Sequence, residues 1–80
     1  MNLKRSRRTA IHPEDLLYVQ MESYMNWRAQ SRFVTDCYRA WRRAETKERK
    51  FAFARYVAAL DREELAAGDY QRTLELVEQP

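Results

Sequence analysis

Glycine is nearly missing from this chain: Gly68 is the only one among 80 residues. A phosphate-cradling loop built on several glycines is therefore excluded. Cysteine occurs once, at Cys37, so no internal disulfide can form, and the chain suits a reducing cytosol. Histidine also occurs once, at His12, leaving it without a companion for metal binding. His12 and Cys37 are remote in sequence, which gives a nucleophile–base pair little support. No apolar run approaches the roughly 20 residues of a membrane-spanning helix. The basic first residues are not followed by the hydrophobic stretch of a signal peptide. These absences lead us to expect a cytoplasmic, non-enzymatic protein with no cofactor, metal, small-molecule ligand or membrane partner.

What is present is helix. Pro13 is pre-organised for a first helical position, and Glu14 and Asp15 suit the positive end of a helix dipole. Leu17, Met21, Tyr24, Trp27, Ser31, Val34, Tyr38 and Trp41 then recur at spacings of three and four. That period predicts a long helix over about 13–44 with one apolar seam, which wants another helix against it. Trp27, Tyr38 and Trp41 are expected in the core rather than as stacking platforms for a ligand. Cys37 lies among Val34, Tyr38 and Trp41, so a buried structural thiol is expected.

A second helix is expected over about 47–67, with Thr46 as its N-cap and Gly68 ending it. Phe53, Tyr56, Val57, Leu60 and Ala67 share one of its faces; Phe51, Ala54, Ala58 and Leu65 share another. A break near Ala44 is preferred to one continuous rod of about 80 Å, because a folded-back helix supplies the seam with a partner. Asp69 is then expected to cap a third helix over about 70–79, with Tyr70, Leu74 and Val77 on its apolar face. The expected fold is all-α: a long antiparallel helical hairpin plus a short third helix, completed as a bundle by self-association. It forms a single domain over 13–80.

Gly68-Asp69-Tyr70, followed by Leu74 and Val77, resembles the inter-helix turn of a tetratricopeptide repeat. Thr73 and Pro80 depart from that pattern and no second copy of the period exists, whereas repeat folds need several. The resemblance implies only a helix–turn–helix joint. As a DNA-reading element the same joint has the wrong sign, since its second helix would carry Glu75 and Glu78 against Arg72 alone. Arg28, Arg32 and Arg39 are the inward-adjacent cations an active site in a bundle would use, but their spacing is that of ordinary flank residues.

Charge is unevenly placed. Residues 1–12 hold Lys4, Arg5, Arg7 and Arg8 with no acid and no apolar period, and read as a flexible basic arm. The chain's net charge of +3 belongs to this arm. A second basic zone surrounds the expected hairpin turn at Arg39, Arg42, Arg43, Lys47, Arg49 and Lys50. Both zones are candidate contacts for nucleic acid or another anion.

Apolar surface exceeds what so short a chain covers. Leu16, Tyr18, Val19, Met25, Phe51 and Leu65 are the candidate partner interface. The function expected is that of a protein-interaction or oligomerisation module, adaptor or regulatory in character, binding a second copy or a larger protein. The alternative is a nucleic-acid-binding accessory protein that uses the arm and the turn arginines.

Overall fold

The computed structural model describes residues 12–78. The candidate anion contacts Lys4, Arg5, Arg7 and Arg8 lie outside them. Helix α1 spans Pro13–Arg43 and helix α2 spans Arg49–Glu78, joined through a single 3₁₀ turn at Thr46–Glu48. The two helices pack antiparallel as an all-α hairpin, one layer thick, with extents of 58 × 25 × 15 Å.

Helix α1 starts as its sequence dictates. His12 is extended (ψ 147°) and its carbonyl accepts the amides of Asp15 at 3.0 Å and Leu16 at 3.1 Å. Pro13 occupies the first helical position, where a missing amide costs nothing. The helix ends without glycine or proline. Ala44 (φ −67°, ψ 142°) and Glu45 (φ −74°, ψ 162°) are both extended, and these two residues reverse the chain. The amide of Ala44 bonds the Trp41 carbonyl at 3.2 Å, that of Glu48 bonds Glu45 at 2.9 Å, and the Arg49 guanidinium donates to the Ala44 carbonyl at 3.4 Å. Thr46 is not the expected N-cap. It is the first residue of the 3₁₀ turn, and Glu45 before it takes the cap position without a side-chain bond.

The expected third helix does not exist as a separate element, because α2 runs unbroken through Gly68. A glycine ends a helix by adopting positive φ, and Gly68 does not. Asp69 caps nothing; its carboxylate pairs with Arg72 one turn on, within the same helix. The residues that α2 turns toward α1 keep their period across the glycine, so packing along the full length of α1 holds the helix together. Interrupting it would forfeit several backbone hydrogen bonds, whereas one mid-helix glycine costs only about 1 kcal/mol.

The seam is heptad-spaced on both helices. On α1 it comprises Leu16, Gln20, Ser23, Trp27, Gln30, Val34, Cys37 and Trp41, all buried or half-buried. On α2 it comprises Ala52, Tyr56, Ala59, Glu63, Ala66, Tyr70, Thr73 and Val77. Alternating steps of four and three are the signature of coiled-coil packing. The expected seam shares only Trp27, Val34 and Trp41 with it. Elsewhere the true seam lies one position earlier, on smaller residues such as Ser23 in place of Tyr24 and Cys37 in place of Tyr38. Small side chains let the two backbones approach, and the large neighbours are displaced to the flank.

Candidate interaction surface

Among the described residues only Cys37, Ala59 and Ala66 are apolar and fully buried, Ala59 with 0% of its surface exposed. The larger seam residues are half-covered and organise into two aromatic clusters. Toward the turn, Trp41 stacks on Tyr56 (centroids 5.5 Å apart, planes at 14°) with Phe53 and Tyr38 against them. Toward the open end, Trp27 stacks on Tyr70 (5.6 Å, 16°) with Tyr24 alongside. Between the clusters sits a polar layer, where one oxygen of Glu63 accepts Trp27 Nε1 at 2.8 Å and the Ser31 hydroxyl at 3.2 Å. Nearer the open end, Ser23 and Thr73 bond across the seam at 3.0 Å.

The hairpin has two unlike flanks. Residues one step past the seam are Leu17, Tyr24, Ser31 and Tyr38 on α1, and Phe53, Leu60, Ala67 and Leu74 on α2. Antiparallel packing places these two rows on the same side, as the Tyr38–Tyr56 and Trp41–Phe53 ring contacts show. Met21 and Val57 widen this side, and Leu17, Met21, Tyr24, Tyr38, Phe53, Val57 and Leu60 are all exposed there. Its open-end part forms a concavity lined by Leu17, Gln20, Met21, Tyr24, Met25 and Tyr70. The opposite flank, one step before the seam, carries Val19, Asn26, Phe33 and Ala40 beside Arg55, Arg62, Asp69 and Leu76. A small hollow there is lined by Phe33, Asp36, Cys37, Ala40, Ala52 and Arg55.

The candidate interface residues from the sequence do not meet in one patch. Leu16 is half-buried in the seam. Tyr18 and Met25, seven residues apart, occupy the side of α1 turned away from α2, and Val19 lies on the charged flank; all three are exposed. Phe51 and Leu65 are exposed on the outer side of α2. The apolar flank is the contiguous surface, and sequence reasoning missed it as a surface because its residues were assigned to the seam itself.

The turn cations do cluster. Arg39, Arg42, Arg43, Lys47, Arg49 and Lys50 are all exposed around the tip. Arg42 donates to the Tyr38 hydroxyl at 3.0 Å and its guanidinium lies 5.9 Å from that ring centre. Among the described residues the only ion pair is Arg72–Asp69, so none of the tip cations has a carboxylate within bonding distance. Glu75 and Glu78 sit at the other end of the hairpin. Arg28, Arg32 and Arg39 do not converge on a pocket; all are exposed, and Arg28 lies 6.0 Å from the ring centre of Trp27 on its own helix. Among the described residues no charged side chain is buried, and no group of three His, Cys, Asp or Glu could hold a metal ion. No described helix is long and apolar enough to cross a membrane. Comparison with family models, curated proteins and solved structures found no match to this chain.

Proposed function

We propose that this protein is a non-enzymatic helical interaction module, one half of a bundle that self-association completes. The observation that carries this reading is the imbalance between core and flank. Three small side chains are fully buried, while a row of large apolar ones stands exposed along one side of the hairpin. Small domains bury too little surface to be robust alone, and with no disulfide available, association is the remaining staple. The exposed flank supplies the missing area. A hairpin about 46 Å long, with two helices side by side spanning roughly 18 Å, offers each partner roughly 800 Å², the size of a standard stable interface.

Light scattering or sedimentation at micromolar concentration tests this directly. The expected mass is a multiple of 9.7 kDa, falling to one chain when Val57→Glu and Leu60→Glu are introduced together. A wild-type protein that stays folded at one chain's mass, up to high concentration, would overturn the self-association reading.

A second reading, a nucleic-acid-binding accessory protein, is favoured by the tip cations that no described carboxylate pairs. It calls for binding to duplex DNA or RNA that weakens steeply with salt, the arm's four cations alone giving a slope of about −3.6. Deleting residues 1–9 should remove most of that binding. Association that is indifferent to salt, or none at low salt, would end this reading.

A further inference from the structure

We infer that the occupant of the apolar flank is a second copy of this chain laid head to tail, the basic tip of each hairpin over the acidic open end of the other. This rests on the self-association reading above and adds the partner's identity and its orientation.

The first support is charge. Residues 39–55, the tip, hold seven bases against Glu45 and Glu48. Residues 13–27 and 69–78, the open end, hold six acids against Arg72. The hairpin is thus a rod with about five charges of one sign at each end. Two such rods side by side in the same direction repel at both ends, and reversing one makes both ends attract.

The second support is where those charges sit on the rim of the flank. Helical spacing puts Glu14 one turn before Leu17 and Glu78 one turn beyond Leu74, at the open end. It puts Lys50 one turn before Phe53 and Arg42 one turn beyond Tyr38, at the tip, where Arg42 is seen against the Tyr38 ring. A two-fold axis through the Ser31–Glu63 layer, crossing the hairpin near mid-length, brings Glu78 of each subunit beside the partner subunit's Lys50 and lays Glu14 over the basic turn that the partner subunit's Arg42 flanks. The basic residues 4–8, which precede the acidic end in the chain and carry four charges of opposite sign to it, lie outside the described residues, so the orientation rests on these four rim residues rather than on the net charge of the open end.

The third support is the apolar pattern. The flank carries one apolar group toward the open end (Leu17, Met21, Leu74) and one toward the tip (Phe53, Val57, Leu60), separated by the polar layer. The same axis runs α1 along the partner's α1 and α2 along the partner's α2, so that Leu74 lies over the partner subunit's Phe53, Leu17 and Met21 lie toward the partner subunit's Tyr38, and the two polar layers meet at the centre. The contact is self-complementary, as a two-fold interface must be.

The experiment measures the distance between tips in the full-length protein. A spin label is attached at Lys47→Cys in a Cys37→Ala background, and the interspin distance is read by pulsed paramagnetic resonance. Head-to-tail packing puts the tips about 45 Å apart by the helical rise, and same-direction packing puts them within about 25 Å. A short distance overturns the orientation while leaving self-association standing. A chain that is monomeric by mass, with no interspin signal, overturns both. A rim series is independent of the label. Glu14→Lys with Glu78→Lys should weaken the dimer at least about tenfold at low salt, and adding Arg42→Glu with Lys50→Glu to the same chain should restore it. Same-direction packing is repulsive before and after the first pair of changes, so a dimer that the pair does not weaken refutes the inference.

Discussion

The two flanks of the hairpin differ by two positions in each heptad: one is almost continuously apolar, and the other mixes apolar with charged residues. One step past the seam the chain carries Leu17, Tyr24, Tyr38, Phe53, Leu60 and Leu74, with Ser31 the one polar residue; one step before it Asn26, Arg55, Arg62 and Asp69 interrupt Val19, Phe33, Ala40 and Leu76. A hairpin complete in itself would have two similarly polar flanks and a seam of large apolar side chains. Here the fully buried seam residues are Cys37, Ala59 and Ala66, and large apolar side chains line one flank without interruption by charge. Small seam residues bring the helices together, and the large side chains displaced to the edge form a second surface. The hairpin packs once within the chain, and the proposed self-association would use the flank left exposed.

The sharpest way to break the comparison is at the seam. Ala59→Leu inserts bulk where no surface is left and should cost about 2–3 kcal/mol in denaturant unfolding at fixed protein concentration. A neutral result would mean that the helices do not approach most closely there. The next contrast sets the flanks against each other. Leu60→Ser should raise the dimer dissociation constant about ten- to a hundredfold, as expected for losing a buried leucine, whereas Phe33→Ser on the charged flank should change it less than about twofold. Equal effects would erase the distinction between the two sides. Trp27→Phe keeps the ring against Tyr70 but removes the donor to Glu63 and should cost about 1 kcal/mol. The smallest effect has the opposite sign. A methyl group at Gly68 would meet only the Arg72 side chain at 3.7 Å, an ordinary contact, so Gly68→Ala should stabilise the protein by about 0.5–1 kcal/mol. Destabilisation would point to a break in α2 at that residue.

Much of this architecture is written locally. Pro13, Glu14 and Asp15 mark the start of α1, and apolar residues at steps of three and four mark its helical state through to the turn. The errors have a common cause. Gly68 carries the chemistry of a helix end, yet a glycine ends a helix only when the backbone gains by turning there. With α1 alongside, continuing the heptad through Ala66, Tyr70 and Thr73 is worth more than the glycine costs. The seam was misplaced by one position because hydrophobic periodicity weights large side chains most heavily. The fully buried positions are instead small ones, Cys37, Ala59 and Ala66. The candidate interface residues Tyr18, Met25, Phe51 and Leu65 are exposed as expected, but a helical wheel of one segment does not show which exposed residues of two segments share a side.

Composition and spacing alone determined that the chain is helical and that its positive charge concentrates in the first residues and near residues 39–50. These are properties of single residues and of the 3.6-residue period, which act whatever the chain packs against. The break near Ala44 is preferred only because the apolar seam needs a partner. Which residues face the second helix, that α2 passes through Gly68, and that Leu17, Met21, Tyr24 and Tyr38 of α1 share a flank with Phe53, Val57 and Leu60 of α2 were decided only when two helices met. Register between them is a balance of backbone approach, ring stacking and the Glu63 hydrogen bonds, and no one segment contains all the partners to that balance.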